Sequence, residues 1–399
     1  EMQRSLVGSE MCIRDRIMGE HMRLFNFRKK KNAAENLQSF SNVNAASLNI
    51  PVHADSEPFA SDNDINNFTK AIGDEYVSKK QLELTKEDLE KISITDGAEM
   101  WRLYSWYHRE VMPDDTAQKR KLSSQRINRL GAALAEKVLN ADEIYCLYNK
   151  LTDQPHLFSR TVQQNDDYLC TPPDVRIFTK AYADYALQKY PDDIFELKKI
   201  VRGADGKGIE NFLGECFYLN GAQGIEIHSE YVSIDAAMLV PPPDFTGMNE
   251  INIPVMNPDL MRWMLLMAQM PKAETNDEEL IYKLYYRFMS MEAVKAKFLV
   301  PMKLEENFPQ SNKTEKIVLK SGAKFSIAVM KGKYDREAVI MYTDWKRLRE
   351  CYNGWSGSIM TLSNIINNND AVINPTNHPQ LGFYIGKEMY EEMVTYTNK

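Results

Sequence analysis

The sequence has few of the residue patterns that build disulfides, zinc sites or membrane spans. Its five cysteines are scattered without a CxxC pair, and its histidines are isolated. We therefore expect neither a disulfide framework nor a metal site. The best apolar stretch, residues 261–270, contains Arg262 and falls short of the roughly 18 residues that a membrane span needs. With no signal peptide, the pattern predicts free thiols and a cytoplasmic location.

Positive charge is also in short supply. Lys and Arg number 49 against 56 Asp and Glu, which gives a net charge of −7 over 399 residues. This balance argues against a protein that binds nucleic acid through its phosphates. A chain of this length is typical of two or three domains.

Recognisable catalytic and cofactor motifs are missing as well. There is no GxSxG elbow and no cysteine in a nucleophile signature. The segment Arg202–Gly208 (RGADGKG) resembles a phosphate loop, but Gly208 stands where a Ser or Thr should follow the lysine. A helix-like stretch, 193–201, precedes it where a strand is required. We interpret the segment as a loop that ends a helix, and we expect no catalytic residue and no cofactor.

The N-terminal part of the chain does not read as a folded domain. Residues 5–16 (SLVGSEMCIRDR) match a conceptual translation of sequencing-adapter DNA, so 1–16 are predicted to be an adapter artefact outside the fold. The natural start is then Met18 or Met22. Residues 17–75 carry a basic cluster followed by a polar run with few large apolar side chains to offset the entropy of ordering. We predict a disordered tail over 17–75.

Two stretches of the chain, 96–240 (the first repeat) and 258–399 (the second repeat), show the same order of elements. Each begins with two helices whose apolar residues recur at helical spacing. These helices are predicted over 98–112 and 116–139 in the first repeat, and over 259–269 and 277–291 in the second. An apolar strand follows in each, 143–150 or 297–303. Residues 241–257 are interpreted as the linker.

The clearest match between the repeats is a strand that ends in an aromatic residue and a threonine. Residues 175–179 (VRIFT) match 339–343 (VIMYT), and each strand leads into a predicted helix, over 180–190 or 344–352. Thr179 and Thr343 are predicted to cap those helices through their hydroxyls, a role that Asp344 can share.

The last part of each repeat adds a helix and a closing strand. The helices are predicted over 209–220 and 358–367, and the strand 224–228 matches 371–375. The second repeat also contains a predicted hairpin, strands 315–320 and 324–330, which the loop 161–174 of the first repeat is predicted to have lost or shortened. The sequence thus predicts an α+β protein of two tandem mixed α/β domains, each with two helices followed by a small sheet and packed helices.

These residues resemble the SseB family, the "enhanced serine sensitivity" proteins of bacteria. Family members combine an LLVP-like strand, an aromatic-Thr-Asp strand end and a VINP-like strand, and the second repeat carries all three. The first repeat is degenerate, since Lys180 replaces the acid. The motif residues, for which the resemblance implies structural roles, are Phe178, Thr179, Pro301, Tyr342, Thr343, Asp344, Asn374 and Pro375.

Because the duplicated scaffold carries no convergent set of acid, base or metal-ligating residues, we expect a non-enzymatic interaction or regulatory module. The resemblance implies a bacterial protein connected with serine tolerance. Trp345, Tyr352 and Trp355 are the candidate patch for an unknown protein partner, although ordinary packing explains them too. The alternative function is a small-molecule sensor or an enzyme with a pocket between the repeats, near Thr343, Asp344 and Asn374. Amino acids are then the first ligand class to test. A homo-oligomer formed through helices 259–291 is a third prediction.

Overall fold

The structure is a computed structural model that describes residues 52–77, 84–110, 117–164, 167–249, 252–270, 272–273, 275–304, 324–332, 336–376 and 381–397. The adapter-like segment, both predicted starts and the tail up to residue 51 lie outside these residues. Within them the chain combines helices with mixed sheets, which confirms the α+β prediction.

Residues 52–77 fold against the first repeat, so the prediction of a disordered tail is wrong for this part of the chain. The segment forms helix α1 (Asp62–Ile72) and continues into a π-helical turn, Gly73–Val77. Its residues in the main hydrophobic core are Phe59, Phe68, Ile72 and Tyr76. The composition of the segment is polar on average, but these large apolar side chains bury enough surface to order it.

The first repeat begins with a helical pair, as predicted. The pair is α3 (Ile94–Glu110) and α4 (Ala117–Asn140), and a short helix, α2 (Lys86–Lys91), precedes it. Leu130, Leu134 and Val138 recur every four residues along α4 and are completely buried, so this helix turns one apolar face to the core. The ring of Trp101 on α3 packs against Gly131, where a Cβ would lie 2.2 Å from the ring.

The rest of the first repeat is a mixed sheet with packed helices. Its elements are β1 (Glu143–Asn149), β2 (Gln154–Pro155), β3 (Leu157–Phe158), β4 (Thr161–Gln164), β5 (Asp167–Cys170), β6 (Asp174–Phe178), α5 (Lys180–Leu187), β7 (Phe195–Val201), α6 (Gly208–Tyr218), β8 (Gly224–Ile227), β9 (Ser233–Asp235) and α7 (Ala236–Leu239). One prediction is wrong here, since the helix predicted over 193–201 is strand β7, which pairs with β1 along its whole length. The hairpin predicted to be lost or shortened is present in a short form, as the four-residue strands β4 and β5.

The second repeat follows the same plan. Its elements are α8 (Pro258–Gln269), α9 (Asn276–Lys295), β10 (Phe298–Leu304), β11 (Phe325–Ile327), β12 (Val329–Lys331), β13 (Glu337–Met341), α10 (Trp345–Cys351), β14 (Ser356–Met360), α11 (Leu362–Ile365), β15 (Asp370–Ile373), β16 (Phe383–Ile385) and α12 (Lys387–Thr397). The helix predicted over 358–367 is wrong in its first part, where β14 pairs with β10. Of the predicted hairpin, 315–320 lies outside the described residues. Residues 324–330 contribute to β11 and β12, which pair with β10 and β13.

Both repeats use one strand-pairing pattern. Strands β1 and β10 run antiparallel to β7 and β14, whereas β6 and β13 run parallel to β8 and β15. Ile177 pairs with Ile227 in the first repeat, and Met341 pairs with Ile373 in the second. His228 is therefore equivalent to Asn374, which shifts the sequence match of 224–228 with 371–375 by one residue.

The two repeats pack directly against each other through α8. Met261, Met264 and Met267 on this helix are buried in a core that contains residues of both repeats. Gln269, also buried, accepts the backbone N–H of Leu157 (2.9 Å) and donates to the carbonyl of Pro155 (3.1 Å). Helix α8 of the second repeat thus completes hydrogen bonds that the sheet of the first repeat leaves open.

Candidate functional site

The strand-end motif of the second repeat is a hydrogen-bonded junction between β13 and β15. Asn374 follows β15 in the left-handed backbone region (φ 46°) and is completely buried. Its Oδ1 accepts the backbone N–H of Thr343 (3.0 Å), and its Nδ2 donates to the Thr343 hydroxyl (3.0 Å). That hydroxyl donates in turn to Asp344 (2.9 Å). Thr343 therefore links the two parallel strands instead of capping a helix.

The first repeat builds the same junction with a histidine. His228 (φ 61°) accepts the backbone N–H of Thr179 on its Nε2 (3.1 Å). Because Nε2 is an acceptor, the ring is neutral and carries its proton on Nδ1; burial lowers the pKa of His228 to about 3. The Thr179 hydroxyl contacts His228 and Thr95, and it makes no cap bond to α5. The capping role predicted for Thr179 is wrong.

Asp344 begins α10, as predicted. Its Oδ1 accepts the backbone N–H of Arg347 (3.0 Å), and its Oδ2 pairs with the Arg347 guanidinium. Asp344 is 1% exposed and Arg347 is 5% exposed, so the ion pair is buried. A buried pair of this kind is sensitive to the loss of either partner, because the remaining charge would be left uncompensated.

Arg347 also reaches across to the first repeat. Its Nη2 donates to Oδ1 of Asn220 (2.5 Å), and Nδ2 of Asn220 donates to Gln154 (3.3 Å). Beside this chain, Lys346 forms an ion pair with Glu215 (2.6 Å). The start of α10 is thereby held against the end of α6.

A cleft of about 400 Å³ lies where these contacts join the repeats. We call it the inter-repeat cleft. Its wall includes Thr152, Asp153, Lys198, Phe212, Glu215 and Asn220 from the first repeat, and Lys346, Arg347, Glu350 and Cys351 from the second. The charged members of this set include both cations and acids. The volume is at the small end of the range for small-molecule sites, roughly 300–1,000 Å³.

Two residues that line the inter-repeat cleft each have a buried polar atom with no hydrogen-bond partner among the described residues. These atoms are Nε of Arg347 and the hydroxyl of Thr152, a residue with no exposed surface. An unmade buried hydrogen bond costs about 1–3 kcal/mol. The occurrence of two such groups in residues that line one cleft, one from each repeat, marks the cleft as a place for polar recognition.

The cysteine on the inner wall of the cleft, Cys216, is not a reactive thiol. Cys216 borders the cleft and is buried, and that burial raises the pKa of its thiol. A thiol held in its protonated form is a packing residue rather than a nucleophile. Cys351 lies on the exposed side of the same wall.

Trp345, Tyr352 and Trp355 come together, as the sequence analysis predicted, but all three are half-buried. They pack on a small hydrophobic cluster that includes Tyr342. The ring centroids of Tyr352 and Trp355 are 5.1 Å apart. A Cβ at Gly357 would lie 2.8 Å from the Trp345 ring, so this glycine makes room for the indole. Packing accounts for most of the surface of these residues.

The remaining motif residues also support the fold. Phe178 and Tyr342 are buried at equivalent strand ends. The Tyr342 hydroxyl donates to the carbonyl of Pro375 (3.1 Å). Pro301 lies in β10 opposite Gly357 of β14.

The phosphate-loop candidate, Arg202–Gly208, connects strand β7 to helix α6, so the strand that the sequence analysis missed is present. Gly203 and Gly206 adopt left-handed conformations (φ 75° and 74°). However, Asp205 accepts the backbone N–H of Lys207 (3.0 Å), so the loop places its own carboxylate on an amide that a phosphate would need.

A larger groove of about 700 Å³ lies beside residues 253–260, Lys295 and Ile359. Among the residues that the structure describes, no buried polar atom without a hydrogen-bond partner lies on its wall. The inter-repeat cleft is therefore the stronger candidate for a binding site.

The chain matches no family model, no curated protein and no solved structure. The resemblance to the SseB family therefore stays a prediction. In the described part of the chain, no helix has the length and apolar character needed to cross a membrane. Over the same residues, no three His, Cys, Asp or Glu side chains are grouped so as to hold a metal ion.

Arg347, Asn220 and Thr152 were not among the residues predicted from the sequence. One local pattern could have identified Arg347: it lies three residues after Asp344, so the two side chains share a helical face. No local sequence pattern identifies Asn220 or Thr152. Asn220 matters because of a contact with a residue 127 positions further along the chain, which no local pattern reveals.

Proposed function

We propose that this chain is a non-enzymatic regulatory protein that binds a small polar molecule in the inter-repeat cleft. The observation that carries this proposal is Arg347, a buried arginine on the cleft wall that contacts both repeats and keeps an unpartnered donor. Because both repeats supply the wall, a bound ligand stabilises one arrangement of the repeats, which is how a binding protein transmits a signal.

The cleft wall carries both signs of charge, and Lys198 pairs with Asp153 as Lys346 does with Glu215. Lys198, Lys346 and Arg347 stand on the same wall as Asp153, Glu215 and Glu350. An amino acid carries one ammonium and one carboxylate and fits a volume of this size. This agrees with the link to serine tolerance that the SseB resemblance implies, and amino acids remain the first class to test.

We assign a structural role to the polar residues of the strand-end motif. The side chains of Thr343 and Asn374 bond to each other, and Thr179 bonds to His228 in the same way. We therefore place recognition at Arg347 and its surroundings, next to the motif, rather than in the motif.

Binding to a protein partner stays a prediction, and so do the homo-oligomer and the cytoplasmic location. The candidate patch of Trp345, Tyr352 and Trp355 offers mainly the edges of half-buried rings. The methionine face of α8 is occupied by the contact between repeats. The geometry therefore favours the small-molecule form of a regulatory role.

A thermal-shift screen of the full chain against amino acids, other small metabolites and nucleotides tests this proposal. A ligand at about 100 times its Kd stabilises the native state by about 2.7 kcal/mol and raises Tm by several degrees. We expect such a shift for one chemical class, and we expect Phe212→Ala on the cleft wall to reduce it. A flat panel, or a shift that Phe212→Ala leaves unchanged, contradicts the proposal.

A further inference from the structure

The chemistry of Arg347 points to the kind of group that the inter-repeat cleft receives. A guanidinium has five N–H donors in a planar fork. In Arg347, Nη1 pairs with Asp344 and Nη2 donates to Asn220, whereas the buried Nε has no partner among the described residues. The two engaged nitrogens fix the plane of the guanidinium, so the free edge is presented in one orientation.

A second donor comes from the other repeat. Thr152 lines the cleft, and its buried hydroxyl has no partner among the described residues. The turn that carries Thr152 is fixed by Asn149, whose backbone carbonyl accepts the N–H of Thr152 (3.3 Å) and whose Oδ1 accepts the N–H of Leu151 (2.9 Å). Thr152 therefore cannot turn to solvent without breaking this turn.

The first repeat shows that the fold itself does not require an arginine at this place. Thr343 is equivalent to Thr179, so Arg347 is equivalent to Ala183, which is buried in the first repeat. Lys180 likewise stands where the second repeat has Asp344. The buried ion pair is thus an addition to a scaffold that also folds without it.

We propose that the inter-repeat cleft binds a small carboxylic acid, whose carboxylate accepts hydrogen bonds from Arg347 Nε of the second repeat and from the Thr152 hydroxyl of the first. A carboxylate is favoured over an amide because its hydrogen bonds to a guanidinium are charge-assisted. The ligand bridges the repeats through this one group. This inference rests on the proposed function and adds the chemical class of the ligand and the residues that bind it.

Calorimetric titration of the full chain with matched acids and amides tests the inference. The probes are L-serine with L-serinamide, L-alanine with L-alaninamide, and succinate with succinamide. We expect at least one acid to bind, with its amide at least tenfold weaker. Arg347→Lys retains a positive charge beside Asp344 but lacks the Nε donor, and Thr152→Val removes the hydroxyl at nearly constant volume. Each variant is expected to weaken binding of the acid at least tenfold.

The variants carry their own folding control. Thr152→Val removes an unpartnered buried hydroxyl, so the ligand-free protein should melt at the same temperature or higher, while a purely structural Thr152 would lower it. Lys199→Ala changes an exposed lysine next to Lys198, outside the cleft, and should leave binding unchanged.

The possible outcomes separate the inference from the proposed function. If acids and amides bind equally, Arg347→Lys and Thr152→Val have no effect, and Phe212→Ala still weakens binding, the carboxylate inference is overturned and the cleft stays a ligand site. If none of these probes binds while the thermal-shift screen finds a ligand without a carboxylate that Phe212→Ala weakens, the carboxylate inference alone is overturned. If no ligand of any class binds, or if binding ignores all three cleft variants, both the inference and the proposed function are overturned.

Discussion

His228 and Asn374 meet the same geometric requirement with different side chains. Each follows the parallel strand of its repeat in a left-handed conformation, and each accepts the backbone N–H of the strand-end threonine. Asparagine tolerates this backbone region better than most residues because its short side chain bonds locally. Histidine adds a stacked contact with Tyr182, with ring centroids 4.1 Å apart. The histidine also makes the first junction sensitive to pH.

We expect His228 to lower stability in acid. Burial lowers its pKa to about 3, whereas an unfolded histidine titrates near 6.5. Between these values the unfolded chain binds a proton that the native chain does not, so the free energy of unfolding falls as pH falls. At pH 5 this contribution is up to about 2 kcal/mol. His228→Asn, which installs the residue of the second repeat, should remove it.

The measurement is urea unfolding of both proteins at pH 7.5 and pH 5. Burial raises the pKa of Asp96 to about 6 and of Asp174 to about 7, and these groups act in the opposite direction because the native state binds their protons more tightly. Both are present in wild type and variant, so the difference between the two proteins reports His228. Equal losses in the two proteins between pH 7.5 and pH 5 would show that His228 is not responsible.

At Gly221 the backbones of the two repeats approach each other closely. Gly221 has a positive φ of 80°, and a Cβ there would lie 2.1 Å from the carbonyl oxygen of Pro258 at the start of α8. The side chain of Arg262 on α8 also donates to the Gly221 carbonyl (2.8 Å). Backbone cannot yield as a flexible side chain can, so this contact fixes the distance between the repeats.

We predict that Gly221→Ala destabilises the protein by about 3 kcal/mol or more, of which the left-handed backbone accounts for about 1 kcal/mol. Gly247→Ala is the matched control, since Gly247 has nearly the same φ of 78° but nothing within 4 Å of its Cβ position. Thermal unfolding of both variants checks this. Similar losses in the two would mean that the close approach to Pro258 has no energetic consequence.

At the scale of single elements, the segment before the first repeat is held by two reciprocal carboxylates. Asp55 accepts the backbone N–H groups of Ile94 (3.0 Å) and Thr95 (2.7 Å) at the start of α3. Asp96, one residue later, accepts the N–H groups of Val52 (2.6 Å) and His53 (2.9 Å). The segment thus supplies a helix cap from about forty residues upstream, and a carboxylate of the helix in turn binds two backbone N–H groups of the segment.

Asp55→Ala is expected to destabilise the protein by about 2–3 kcal/mol, because α3 loses its cap and two amides lose a charged acceptor. Glu57→Ala is the control, since Glu57 is exposed two residues away and should change stability by less than about 0.5 kcal/mol. Urea unfolding gives both values, and limited proteolysis of residues 52–77 shows whether the segment has been released. An Asp55→Ala protein as stable as Glu57→Ala would contradict the capping role.

The sequence predicted long elements well and short half-buried ones poorly. Helix α4 was recognisable because Leu130, Leu134 and Val138 repeat at helical spacing over many residues. Strand β7 has seven residues, all at least partly exposed, so it shows no alternation between a buried and an exposed face. Strand β14 is shorter still. In both cases pairing with a central strand, which is not a local property, decides the structure.

The candidate site was predictable only in outline. The sequence analysis placed a pocket between the repeats near Thr343, Asp344 and Asn374, and Asp344 does orient the arginine on the cleft wall. The opposite wall of the cleft consists of turns and helix ends of the first repeat, and these segments carry no recognisable sequence motif. Asn220 and Thr152 gain their roles only when the repeats pack, so a local reading of the chain could not identify them.

At the scale of the whole molecule, the two repeats form one continuous core and should unfold as one unit. The buried side chain of Gln269 on α8 closes this interface by accepting from Leu157 and donating to Pro155, both in the first repeat. Leucine at position 269 would leave that N–H and that carbonyl buried and unsatisfied, which costs about 1–3 kcal/mol for each group. In a molecule that unfolds as one unit, this change lowers the free energy of unfolding of both repeats together.

We therefore predict that Gln269→Leu shifts a single unfolding transition by about 2–4 kcal/mol. The shift should be identical by far-UV circular dichroism and by tryptophan fluorescence, because Trp101 reports the first repeat while Trp345 and Trp355 report the second. Lys346→Ala is the control for a contact across the same interface. Its ion pair with Glu215 is exposed, so the loss should stay below about 1 kcal/mol. Two separate transitions, with only one moved by Gln269→Leu, would show that the repeats are independent domains, and a ligand in the inter-repeat cleft would then act by bringing them together.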